Sequence, residues 1–272
     1  MRLKSTPVKE YHGMYVKRED LCCIGGPKFS KARGVLAHIR KRQEPVIGVL
    51  DTVHSQAGWA VAAACETLGK KCIVYYPRLK ADTEGTLRPS QFRAKQLGAE
   101  LRPLTAGRSS ILYHRARRDL PEGAYMVPNA IQIPESVTET ADEVCRTEIG
   151  KYKTVVVPIS SGTIATGVLM GFWKAFLERR IRRLPRFILH MGYSRSKRTV
   201  YSLLSKWITL PPDELRELVR IVDEGYAYSD KARPGPAPPF PCNAYYDLKT
   251  WVWLVENLKE LRAPVLFWNI GA

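Results

Sequence analysis

Two stretches of this 272-residue chain carry residue types that could do chemistry. The first reads GGPKFSKARG over residues 25–34, with Lys31 at the opening of a helical pattern and Lys28 three residues earlier. A lysine at a helix start is ordinarily solvated. Kept from water it becomes a neutral nucleophile, because burial disfavours the charged form. The second reads PISSGTIATG over residues 158–167, a Ser/Gly/Thr loop between an apolar run and a helical one. Backbone N–H groups and hydroxyls at a helix N-terminus, aided by the helix dipole, suit a phosphate group. No GK[ST] follows, so this is not a nucleotide P-loop, and the GxGxxG dinucleotide fingerprint is missing. Taken singly, each stretch has an ordinary reading: a solvated cation and a plain strand–helix turn.

The elements that must position them alternate along the chain. Short β-branched or apolar runs at 45–50, 71–76, 100–104, 125–127, 154–157 and 187–191 read as strands. Helical patterns at 56–69, 90–98, 111–120, 134–150 and 162–180 lie between them. Strands interleaved with helices predict βαβ units and an open α/β architecture with mostly parallel sheets. Residues 233–241 (RPGPAPPFP) hold five prolines and predict an irregular connecting loop.

Composition narrows the class. A hydrophobic fraction of 45% and a charged fraction of 25% exclude a disordered or collagen-like chain. No apolar run approaches the roughly 18–20 residues of a membrane-spanning helix, and the N-terminus has no apolar core of a secretory signal. Six scattered cysteines without a CxxC pair predict reduced thiols in a cytoplasmic protein and no metal site. The charge stands apart. With 43 Lys+Arg against 26 Asp+Glu, the chain carries a formal +17, which points to an anionic partner such as nucleic acid. Residues 179–198 hold eight Lys/Arg and no acid; Arg179, Arg180, Arg182, Arg183, Arg195, Lys197 and Arg198 are the candidate nucleic-acid contacts.

In combination these motifs resemble the fold type II pyridoxal-phosphate enzymes, the tryptophan synthase β-like superfamily. The branch most resembled is that of aminocyclopropane-carboxylate deaminase and D-cysteine desulfhydrase. VKREDL (16–21), SKAR (30–33), HSQAGWAVAAACETLG (54–69), RAKQLGAE (93–100), the 161–167 loop, NAYYDLK (243–249) and FWNIGA (267–272) follow the family's order. The resemblance implies pyridoxal 5′-phosphate as cofactor, lying between a large domain (1–45 plus 131–272) and a small inserted one (46–130). It implies Lys31 as the Schiff-base lysine, with Lys28 the alternative. Ser160, Ser161, Gly162, Thr163 and Thr166 are the implied phosphate cup, Ser55 and Gln56 the contacts to substrate carboxylate and ring hydroxyl. Tyr246 and Asn269 are placed near the ring.

The activity so implied is a lyase of decarboxylase or deaminase type. It forms an external aldimine with an amino-acid amine and cleaves a bond at Cα. Two departures matter: Gln56 replaces the family's Asn, and the acid expected at the ring nitrogen falls on Pro238. The basic surface favours a DNA-borne substrate, an amino acid attached to thymine, as in bacteriophage DNA hypermodification. Such an enzyme, possible as a homodimer, would work in the host cytoplasm. A lyase for a free small amino acid and a non-catalytic binding protein are the alternatives.

Overall fold

The computed structural model describes residues 5–22, 29–79, 86–105 and 107–271. The chain begins with β1 (Val8–Tyr11), β2 (Met14–Arg18), α1 (Ser30–Arg40), β3 (Val46–Leu50), α2 (Ala57–Thr67) and β4 (Lys71–Arg78). Next come α3 (Pro89–Gln96), β5 (Glu100–Thr105), α4 (Ser109–Asp119), β6 (Tyr125–Met126), α5 (Pro134–Cys145) and β7 (Thr154–Ile159). It ends with α6 (Thr163–Leu177), β8 (Arg186–Met191), α7 (Lys197–Leu204), α8 (Pro212–Leu218), β9 (Val219–Val222), α9 (Asp247–Asn257) and β10 (Val265–Asn269). The described residues divide into two compact units, one of 5–22, 29–30 and 137–271, the other of 31–79, 86–105 and 107–136.

Each unit winds in the same way. In the second, four parallel strands lie in the order β5-β4-β3-β6, so the chain moves outward from β3 and then returns to its other side. In the first, β9-β8-β7-β10 repeats that order, all parallel, and the β1–β2 hairpin extends the sheet beyond β10. Where strand order reverses, the loops leaving neighbouring strands part, and a crevice opens at their C-terminal ends. Those points lie between β3 and β6, and between β7 and β10. The hairpin turns through His12 (φ +50°) and Gly13 (φ +76°), both in the left-handed region that a two-residue turn of this twist requires.

The run TVVVPI of β7 is buried at every position, as expected of a central parallel strand covered on both faces. Helices α5 and α6 stop well before the ends that the sequence pattern predicts. α6 stops at Leu177 because Arg179 turns left-handed (φ +56°) and the Arg180 N–H closes back on Ala175 O at 2.9 Å. α5 stops at Cys145, where the chain turns to serve a buried network: Lys17 Nζ lies 2.7 Å from Glu143 and 2.8 Å from Thr147 Oγ1. Loop 233–241 is irregular, as its prolines predict.

Helices α5 and α6 approach through glycine. A Cβ built on Gly167 would stand 2.5 Å from Thr140 Cβ and 2.7 Å from Val137 O; one on Gly171 would stand 2.5 Å from Val144 Cβ. Gly167→Ala must therefore push the helices apart, at about 1–3 kcal/mol, partly offset by alanine's better helix propensity. A fall in Tm of roughly 3–9 °C is expected by calorimetry.

Candidate active site

In the second unit the reversal between β3 and β6 gathers the loops after those strands. β3 leads into Asp51, which is fully buried and whose N–H donates to Tyr75 O at 2.8 Å. The chain then turns through Ser55, whose hydroxyl accepts the Ala57 N–H at 2.9 Å, so Ser55 and Gln56 stand half-buried at the start of α2. Ser90 donates to Asp51 Oδ2 at 3.1 Å, while Oδ1 has no hydrogen-bond partner of normal geometry among the described residues. A Cβ on Gly58 would come 3.0 Å from Oδ2, so the carboxyl fits there because α2 begins with small residues. Burial raises Asp51 to about 6, held back by the Gly58 N–H, the Ser90 and Ser55 hydroxyls and the Ala57 N–H.

Lys31 belongs to the same unit, as the second residue of α1. It is 9% exposed, and its Nζ donates to Ala130 O at 2.8 Å in the loop after β6. That loop is strained: Ala130 and Ile131 both have positive φ, +58° and +52°, which costs side-chain-bearing residues about 1–2 kcal/mol each. Helix α1 is pinned by Gly34, where a Cβ would lie 2.4 Å from Ser136 Cα, and by the Ser136 hydroxyl on Lys31 O at 3.1 Å. Burial lowers the Lys31 amine from its ordinary value near 10.5 to about 7. Lys28 lies outside the described residues.

In the first unit the reversal between β7 and β10 holds the other candidates. Ser160 and Ser161 lead to Gly162, which is left-handed (φ +93°) and caps α6. Thr163 begins the helix, its Oγ1 3.3 Å from Ser161 Oγ. Thr166 is fully buried, and its hydroxyl donates to Gly162 O at 2.9 Å, bracing the loop from within. Tyr246 leans on Gly192, and burial holds its hydroxyl in the protonated form, with Tyr228 and Ser160 as hydrogen-bonding neighbours. Asn269, at the end of β10, is fully buried and donates to Asp20 Oδ1 at 3.2 Å and Pro241 O at 3.1 Å. Next to it Asp247, absent from the sequence-based candidates, accepts the Ile270 N–H at 3.2 Å; burial raises its carboxyl to about 7.

The seven candidate nucleic-acid contacts separate. Arg179, Arg180, Arg182 and Arg183 follow α6 and precede β8, at the N-terminal edge of the sheet, away from the crevice. Arg195, Lys197 and Arg198 follow β8, at the crevice edge. Sequence spacing could not make this division, because one strand connects the two groups.

The second unit offers a lysine that can be neutral, and the first a helix N-terminus behind a left-handed glycine; each suits pyridoxal phosphate. The residues present fit it. A scan of family models matches residues 2–228 to the family "Pyridoxal-phosphate dependent enzyme". The glycyl-dTMP PLP-dependent decarboxylase of Pseudomonas phage M6 is 48% identical over 285 aligned positions, covering 100% of both chains. The tryptophan synthase beta chain of Methylobacterium sp. (strain 4-46) is 28% identical over 184 positions, 61% of this chain and 43% of that one. Among solved structures, an ACC deaminase homologue superposes with a TM-score of 0.71 at 20% identity, covering 95% of this chain and 84% of that one. The O-acetylserine dependent cystathionine beta-synthase of Helicobacter pylori gives 0.64 at 16% identity, covering 99% and 93%. The chain belongs to the pyridoxal-phosphate-dependent enzymes, with the fold type II architecture.

Two outcomes follow from the geometry. Cofactor attachment to the protein, followed by its visible absorption, should rise with pH around a midpoint of about 7, since the Lys31 amine is protonated below that value and neutral above it. Lys31→Ala should abolish the band. For Asp51 the sign runs the other way: a carboxyl raised from 3.8 to about 6 costs stability once ionised, so its contribution falls as pH climbs through that window. Asp51→Asn should stabilise the cofactor-free protein by about 3 kcal/mol at pH 7 and by little at pH 4, read from denaturant midpoints.

Proposed function

We propose that this enzyme decarboxylates an amino acid carried on a thymine nucleotide, with DNA as the polymer that bears it, in the cytoplasm of a phage-infected cell. The full-length similarity to a glycyl-dTMP decarboxylase carries this reading. Bound pyridoxal phosphate supplies an electron-withdrawing ring that accepts the electron pair left on Cα when the carboxylate departs. The rest falls to the chain's own residues. Ser160, Ser161, Thr163 and the first N–H groups of α6 hold the phosphate, where the helix dipole favours an anion. Ser55 and Gln56, half-buried at the start of α2, orient the substrate carboxylate. Lys31 anchors the cofactor as a neutral amine and afterwards delivers a proton to Cα, a role that its pKa near 7 allows in both directions.

Lys197 and Arg198 are exposed beside the crevice, the position from which a DNA backbone could be held while one base is flipped toward the cofactor. Arg182 and Arg183, exposed at the opposite edge, are less well placed.

Incubated with an oligonucleotide bearing a glycyl-modified thymine, the holoenzyme should release one carbon dioxide per modified base, seen as the matching mass loss of the nucleotide. Turnover of free amino acids without any loss from the oligonucleotide would contradict the proposal. For binding, Lys197→Ala with Arg198→Ala should lower the slope of log affinity against log salt by about 2, and Arg182→Ala with Arg183→Ala by less.

A further inference from the structure

Arg195 was grouped by sequence with the surface cations, yet its surroundings differ from those of Lys197 and Arg198. Both of those are exposed, whereas Arg195 is partly buried and its Nη2 is sealed from solvent. That nitrogen has no hydrogen-bond partner among the described residues. A buried donor on a charged group left without an acceptor is costly, and a bound ligand or ion is one of the ways in which native structures complete it. Its location identifies the ligand. Nη2 lies 3.7 Å from where a Cβ on Gly162 would stand, beside the left-handed residue that caps α6.

Two independent features therefore meet at one point in the first unit. One is the N-terminus of a fifteen-residue helix, whose first N–H groups have no partner within the helix. The other is an unsatisfied guanidinium nitrogen, held in place by a loop that is itself fixed: Gly192 N–H donates to Ile159 O at 3.0 Å and Ser194 N–H to Tyr226 O at 2.8 Å. The Arg195 Cζ lies 5.9 Å from the Tyr193 ring centroid, within cation–π range. A phosphate monoester dianion matches both features, because a guanidinium fork and backbone donors each bind phosphate oxygens directly.

We propose that Arg195 is a direct ligand of the cofactor's phosphate, joining the Ser160–Thr163 loop, and is not a DNA contact. The assignment rests on the family's cofactor and not on which substrate is decarboxylated, so it survives if the thymine-borne substrate is wrong. The charge adds to cofactor affinity without touching the reacting carbon.

The test compares pyridoxal phosphate with pyridoxal, which lacks the phosphate, on cofactor-free protein followed by visible absorption and tryptophan fluorescence. Arg195→Gln should weaken binding of pyridoxal phosphate by about 10- to 100-fold and leave that of pyridoxal unchanged. Arg195→Lys should recover part of the loss, keeping the charge without the fork. Inorganic phosphate should compete with pyridoxal phosphate less well in the Gln variant than in the parent protein. Equal weakening of both ligands would show a merely structural arginine and overturn the proposal. Unchanged cofactor affinity with a shallower salt dependence of DNA binding would also overturn it, returning Arg195 to the nucleic-acid surface. If the Gln variant fails to fold, the Lys variant carries the same comparison.

Discussion

An ammonium group gives up its proton near neutrality only when it is kept from water, and Lys31 is kept from water by the backbone around it. The helix that carries it can approach the chain at Ser136 because residue 34 has no side chain. The oxygen that receives its amine belongs to Ala130, in a turn where two successive residues with side chains adopt left-handed angles. Such strain persists where surrounding structure over-determines the loop, and it collects at functional sites. The fold thus sacrifices local comfort to present one carbonyl to one amine.

On the proposed reading the other half of the chemistry is anion binding, and it reuses the same winding. Both units run out from a central strand and return to its opposite side, so each opens a crevice at strand C-termini. In one unit the crevice is headed by α2, in the other by α6, and each helix presents an N-terminus. The contrast lies in the charge behind them. Behind α2 stands the buried carboxyl of Asp51; beside α6 stands the guanidinium of Arg195. A carboxyl that titrates near pH 6 tempers the positive end of α2, whereas the arginine strengthens that of α6. A permanently held phosphate wants the second arrangement.

Much of this was legible in the sequence, and the reasons are physical. The strand TVVVPI and the loop SSGT announce themselves because a buried parallel strand must be continuously apolar and a crevice loop must be small. Lys31 is singled out by the K-x-R-G pattern it shares with the family it resembles; the close approach that Gly34 allows shows only in the structure. What the sequence withheld depends on tertiary context. Asp51 and Asp247 read as ordinary acids at element ends until their burial is known. Arg195 reads as one more cation in a basic stretch, and only topology separates it from Arg182 and Arg183. Residues 197–222 show little pattern in the sequence, since β9 has four residues and its neighbouring helices seven and eight, too short to show a period.

The claim on which everything else depends is that Lys31 is the lysine that carries the cofactor. Reduction of the holoprotein with borohydride, followed by proteolysis and mass spectrometry of the pyridoxyl-bearing peptide, tests it directly. The account predicts the label on Lys31. A label on Lys28 would contradict it, and would mean that the buried amine bonded to Ala130 serves the structure and not the chemistry.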